Sequence, residues 1–256
     1  MKKSLAVILS LIPLFTLAQN QREFYQLKEY ALKKGSQLEL VEGYLQKAFI
    51  PALHKAGVKD IGVFKPIEDQ DDTLTSIYVL VPFNSFNQFL VLDEQLAKNE
   101  EYQKSGDLYI NAMPDQPPYI RIESTILRAF EGMPQHKAPD FKSPKSERVY
   151  ELRSYESATE KLHQNKVHMF NQGGEVQLFE DLGFNAVFYG SVVSGANMPN
   201  LMYMTTFENR ASRDAHWKQF GESSVWNALK VMPEYETPNV SHIDILFLYP
   251  TPYSDY

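Results

Sequence analysis

The 256-residue chain contains no cysteine. Disulfides, thiol nucleophiles, iron–sulfur clusters, cysteine-ligated zinc and a lipidated N-terminal Cys are therefore excluded. Basic charge is also scarce: 25 Lys and Arg face 32 Asp and Glu, for a formal net charge of −7. Affinity for phosphates is built from clustered Lys and Arg, so a general nucleic-acid binder is excluded as well. The sequence has no His-Glu-x-x-His pair, no Gly-x-Ser-x-Gly nucleophile turn and no phosphate-cradling glycine loop. Beyond the first twenty residues no run is apolar enough to span a bilayer. What the chain does have is 43% hydrophobic residues, including 16 Phe and 15 Tyr, ample for a sizeable core.

The N-terminus reads as an export signal. Lys2 and Lys3 precede a nearly unbroken apolar stretch, Leu5 to Leu17, and small residues sit before Gln19. The stretch is too short for a spanning helix, which needs ~20 residues. Cleavage after residue 18 leaves 238 of the 256 residues and takes the charge from −7 to −9. A double-lysine start with no lipobox suits a bacterial leader, so a periplasmic or secreted protein with no membrane attachment after cleavage is expected.

The mature chain repeats itself. Phe24-Tyr25-Gln26-Leu27-Lys28-Glu29-Tyr30 and Val149-Tyr150-Glu151-Leu152-Arg153-Ser154-Tyr155 share a pattern of hydrophobic, Tyr, polar, Leu, base, polar, Tyr. Each is followed by a Ser-x-x-Glu box, Ser36 to Glu39 and Ser157 to Glu160, opening an amphipathic stretch. Each stretch closes on a glycine suited to a helix C′ position, Gly57 and Gly183. Gly173-Gly174 interrupts the second stretch and predicts a break there. Two strand-like runs come next: Ile61 to Ile67 and Leu74 to Val81 in the first half, Ala186 to Val193 and Leu201 to Phe207 in the second. A second helix (Ser85 to Lys98; Ala211 to Phe220) and a last strand (Ile120 to Phe130; His242 to Tyr249) complete each half.

The order β-α-β-β-α-β predicts two ferredoxin-like α+β units, residues 23–130 and 148–250, joined by a Pro- and Lys-rich linker over 131–147. Such a unit covers one sheet face with helices and leaves the other bare. Two copies in one chain can pack their bare faces together as an intramolecular α/β barrel.

The opening Tyr-Glu-Leu-Arg-x-Tyr of the second unit, Tyr150 to Tyr155, resembles the start of NIPSNAP family domains. Phe207, Glu208-Asn209, Arg210, Trp217 and Trp226 resemble that family's second helical segment, whereas the first unit departs at Gln26 and Lys28. The resemblance implies the dimeric α/β-barrel superfamily, which also holds antibiotic-biosynthesis-type monooxygenases, haem-degrading enzymes and dye-decolorizing peroxidases. The NIPSNAP branch has little defined biochemistry, and its animal members are discussed as mitochondrial interaction and signalling proteins.

Strand alternation nominates a site. Tyr25 and Leu27, like Tyr150 and Leu152, point one way; Gln26, Lys28 and Tyr30, like Glu151, Arg153 and Tyr155, point the other. The apolar set is expected against the helices and the polar set in the space between the sheets, joined by Arg128 and Asp244 from the closing strands. Two readings follow. Glu151–Arg153 and Arg128–Asp244 are structural ion pairs, or Lys28, Tyr30, Arg128, Arg153, Tyr155 and Asp244 line a pocket for a small anionic or aromatic molecule. An acid or base in that pocket, with His242, Tyr155 and Glu151 as candidates, would suit a cofactor-independent oxygenase or isomerase acting on a small aromatic or keto substrate. Otherwise the chain binds a small molecule or a partner protein without catalysis. No metal and no resident cofactor is expected; haem is the exception held open, with His163 or His168 as its ligand. A homo-oligomer also remains open.

Overall fold

The computed structural model describes residues 21–68 and 72–256. The expected leader, 1–18, lies outside the described residues, as does most of the acidic turn between the second and third strands.

The first half runs β1 (Phe24–Lys33), α1 (Ser36–Tyr44), a π-helical stretch (Leu45–Phe49), α2 (Ile50–Lys55), β2 (Gly62–Pro66), β3 (Leu74–Phe83), α3 (Phe86–Ala97), α4 (Glu100–Ser105), α5 (Asp107–Ile110) and β4 (Arg121–Ala129). The second runs β5 (Val149–Glu156), α6 (Glu160–Asn171), α7 (Glu175–Asp181), β6 (Ala186–Ser194), β7 (Asn200–Phe207), α8 (Arg210–Glu222), α9 (Ser224–Leu229) and β8 (His242–Pro250). Local chemistry explains the boundaries. Gly57 and Gly183 adopt φ of 83° and 73° after their helices, a conformation costly for residues with a Cβ. Around both, the same bonds close the helix: Val58 N–H to the Leu53 carbonyl and Phe184 N–H to the Phe179 carbonyl. Gly174, at φ 88°, separates α6 from α7 as expected.

The two Ser-x-x-Glu boxes do not cap. Thr159 is the N-cap of α6, its hydroxyl accepting from Leu162 N–H, and Gly35 precedes α1 with no side-chain cap. Backbone geometry decides this, because a capping residue must be extended and its position relative to the first turn is invisible in a four-residue motif.

The strands close into an eight-stranded barrel in the order β1-β3-β2-β8-β5-β7-β6-β4. Within each half the neighbours are those of a ferredoxin-like sheet. Across the halves β2 pairs with β8 and β4 with β6, so each sheet's exposed edges become the other's partners. The chain thus forms by itself the α/β barrel that a dimer of single units would form. Residues 131–147 hold no helix or strand, yet they are fastened to both halves: Pro134 O accepts from Glu23 N–H, and Lys137 N–H donates to Val187 O.

The alternation along the opening strands is as expected, but its direction is reversed. Tyr25, Leu27, Tyr150 and Leu152 lie inside the barrel with Leu80, Leu127 and Met204. Tyr30 and Tyr155 face the helices in two other apolar clusters. Both faces of these sheets are covered, one by helices and one by the opposite sheet. Apolar residues are therefore required on both, and periodicity alone cannot say which set meets which layer. At one end the barrel is filled by rings: Phe64, Tyr150 and Tyr256 pack with centroids 4.9–6.2 Å apart. Residues 251–256 bring Tyr256 there by running along β2, Thr251 N–H bonding Val63 O and Asp255 N–H bonding Ile61 O.

Candidate functional site

The polar residues singled out from the sequence do not share a cavity. Glu151, fully enclosed between β5 and α8, is the hub of a clamp. Its carboxylate accepts from Arg153 Nε (2.7 Å) and Nη2 (2.6 Å), from Arg213 Nε (2.8 Å) and Nη2 (2.9 Å), and from Trp217 Nε1 (2.7 Å). Burial alone would raise its pKa; the bonds and charges of Arg213 and Arg153 outweigh that and hold it below the usual carboxylate range. The Arg153 guanidinium lies 3.8 Å from the centre of the Trp217 ring and also donates to the Tyr155 hydroxyl, which bonds that of Tyr203. Every oxygen of Glu151 is engaged, and the arrangement fixes α8 to the sheet. Arg213 and Trp217 are partners the sequence did not disclose, since they sit 62 and 66 residues away on a helix whose facing side had no independent marker.

The remaining candidates scatter. Lys28 lies 5.0 Å over the Phe49 ring on the helix side, its pKa lowered by burial against the opposing charge of Asp93. Tyr30 is buried near Tyr119. Arg128 is exposed on the outer surface beside Arg22 and Glu131, so the expected Arg128–Asp244 pair does not form. Asp244 pairs instead with His242 at 3.1 Å, both side chains more than half exposed at the barrel rim. His168 Nδ1 is bonded to the Tyr235 hydroxyl, while burial lowers the pKa of His163.

The face of β1 that carries Tyr25 and Leu27 also carries Glu29, and it leads to the open end of the barrel. A cleft of about 320 Å³ opens there. Its floor is Leu27, Leu152, Met202 and Leu246, and its wall carries Glu29, Glu123, Asp244, Tyr78, Ser154 and Asn200. A second cleft of about 360 Å³ adjoins it, sharing Glu29, Tyr78 and Leu246 and adding Glu68. Neither is lined by Lys or Arg. The register sets Glu29 directly opposite Glu123 on β4 and Tyr78 on β3. Glu29 Oε1 accepts from Ser76 Oγ (2.8 Å) and the Tyr78 hydroxyl (2.9 Å), leaving Oε2 available among the described residues. Burial, then the Glu29 carboxylate, pushes the Tyr78 pKa up, so Tyr78 stays a neutral donor. Asn200 is buried, gives its amide N–H to Ser154 Oγ and leaves its Oδ1 without a partner. The mouth is thus an apolar floor ringed by acceptors.

Residues 150–255 match the NIPSNAP family model. The second half of the chain carries this match. No curated protein matches the chain by sequence. Among solved structures, the two halves together resemble a candidate monooxygenase from Lactobacillus acidophilus NCFM, with TM-score 0.58 at 11% identity over 90% of this chain and 94% of that one. A candidate monooxygenase from Fusobacterium nucleatum gives TM-score 0.58 at 10% identity over 90% and 92%. An anthrone oxidase-like protein gives 0.52 at 9% over 91% and 93%. At such identities these likenesses establish the fold, an intramolecular α/β barrel, and leave the chemistry to the site.

Proposed function

We propose that this protein binds a small molecule in the barrel mouth, and that the ligand has a compact apolar body and a cationic group. One observation carries the reading: the cleft has an aliphatic floor and three carboxylates, Glu29, Glu123 and Asp244, on a wall without Lys or Arg. An apolar body gains by leaving water over Leu27, Leu152, Met202 and Leu246. An ammonium or guanidinium group then meets carboxylates in a partly enclosed site, where screening is weaker than at an open surface. An anion would meet only like charge. This reverses the ligand sign suggested by Arg153 and Lys28, whose positions lie outside the barrel. Catalysis by an oxygenase or isomerase route has lost its candidates, because Glu151 is locked in the clamp, Tyr155 is bonded to Arg153 and Tyr203, and His242 is at the exposed rim. Export with loss of residues 1–18 belongs to the same proposal, and the Lys2-Lys3 start and following apolar run support it.

Matched probes of one shape test the ligand sign. Benzylamine should bind, weaken as salt rises and lose at least about tenfold in affinity in Glu29→Gln, the equivalent of about 1.4 kcal/mol. Calorimetry in which benzoate binds as well as benzylamine, or in which Glu29→Gln changes nothing, would overturn the proposal.

A further inference from the structure

On the rim of the same mouth, the second half brings together three groups that the organic-cation reading does not use as a set. Strand register places Glu156 on β5 beside His242 on β8, with Asp244 two residues further along the same face. One donor atom from each of Glu156, His242 and Asp244 lies within 4.8 Å of the others. His242 Nε2 and Asp244 Oδ1 are already 3.1 Å apart. Metal bonds of about 2.0–2.2 Å to N and O hold neighbouring ligand atoms roughly 3 Å apart, so small side-chain rotations suffice to close this set on one ion.

We propose that Glu156, His242 and Asp244 bind a divalent transition-metal ion. The donor set, one imidazole and two carboxylates, suits Zn²⁺, Co²⁺ or Mn²⁺ and distinguishes the place from an ordinary acidic patch. Two further observations favour a cation at this place. Among the described residues Glu156 has no basic partner, and Asp244 has none but His242. Across β5 from His242, in register with Glu156, stands Asn200, a buried residue whose Oδ1 has no hydrogen-bond donor. A buried acceptor left bare costs about 1–3 kcal/mol; a hydrated cation beside it supplies water hydrogens to that oxygen. Three protein ligands also leave coordination positions open, and Asp244 lines the cleft, so those positions adjoin the cavity where a small molecule would lie. The metal set shares Asp244 with the organic-cation cleft, but Glu156 and His242 do not line that cleft and Glu29 is not among the metal donors.

The test uses full-length, tag-free protein stripped with a chelator and titrated with CoCl₂ by visible absorption, then with ZnCl₂ by calorimetry. One equivalent of Co²⁺ should bind with a ligand-field band, and Zn²⁺ should displace it. His242→Ala and Glu156→Gln should each weaken binding at least tenfold while leaving the circular dichroism and Tm unchanged, since both side chains lie at the rim. Glu29→Gln should weaken benzylamine and leave Co²⁺ binding intact, so that failure of either proposal is visible separately. Absence of stoichiometric Co²⁺ binding, or binding indifferent to His242→Ala, would overturn the metal site.

Discussion

The two halves share one scaffold and fill it with different chemistry. At the position where β5 carries Glu151, β1 carries Gln26; where β5 carries Arg153, β1 carries Lys28. Glu151 gathers five donors from Arg153, Arg213 and Trp217, whereas Gln26 makes one bond, to Ser124 on the neighbouring strand, at 2.8 Å. The first half's helices are held by an apolar cluster with stacked tyrosines, Tyr44 and Tyr109 lying 3.7 Å apart. The second half's are held by the clamp together with a buried Lys166–Glu175 pair at 2.8 Å. The charged layer is thus not a requirement of the fold. It belongs to the half that matches the NIPSNAP model, and the first half, with Gln26 and Lys28 at those places, folds without it.

The largest expected effect tests that contrast directly. Glu151→Gln leaves the buried Arg153 guanidinium with no carboxylate and the partly buried Arg213 with Asp214 alone, and should cost about 3–5 kcal/mol. Gln26→Ala removes one neutral bond and should cost about 1 kcal/mol. Denaturant unfolding of the two variants measures both; equal losses would mean that the halves are held in the same way despite their chemistry. The linkage has a sign. Glu151 is depressed in the folded state, so its contribution is full above the ordinary carboxylate pKa and fades as pH falls through the lower folded value.

Much of this was legible in the sequence. The Tyr-x-Leu-x-x-Tyr repeat, the paired glycines Gly57 and Gly183, and the run of strand and helix signals are local, and they led to the barrel. The interior was misassigned because both sheet faces are buried, so parity separated Tyr25 from Lys28 without saying which faced the helices. The mouth was within reach of the same signal. Glu29 has the parity of Tyr25 and Leu27, and a carboxylate continuing an apolar face marks where that face meets water. Its neighbours Glu123 and Tyr78 could not be read, because they join it only through register between distant strands. Glu156 and His242 are 86 residues apart and meet for the same reason.

A second comparison concerns how the connecting segment is fastened. To the second half it is held by bonds that do not titrate near neutrality, such as Lys137 N–H to Val187 O. To the first half it is held by the backbone bond from Glu23 N–H to Pro134 O and also by a titratable group, His136, whose Nδ1 is 2.8 Å from Glu23 and whose Nε2 is 3.2 Å from Asp60. Burial alone would lower the pKa of His136, but the two carboxylates outweigh it and the net shift is upward. A raised folded-state pKa places the stabilisation below the ordinary value of about 6.5 and removes it as pH rises through the folded value. The difference in unfolding free energy between wild type and His136→Gln should therefore be largest in mild acid, roughly 2 kcal/mol, and shrink toward alkaline pH. A difference that does not vary with pH would show that His136 acts through shape alone.

The smallest effect separates the two first helices. Both halves carry Ser-x-x-Glu at matching places, and by motif Ser36 and Ser157 should contribute alike. In the structure α6 is capped by Thr159, whose hydroxyl accepts from Leu162 N–H at 3.3 Å, and α1 begins after Gly35 with no side-chain cap. Removing a working cap costs about 1 kcal/mol, and removing a serine that bonds no helix N–H costs only its small propensity difference from alanine, which favours alanine. Thr159→Ala should therefore lower stability by about 1 kcal/mol, Ser36→Ala should leave it unchanged or raise it slightly, and thermal unfolding of the two resolves the difference. A loss at Ser36 as large as that at Thr159 would mean that α1 is capped in solution by the box its sequence displays, and that the two halves begin their helices in the same way after all.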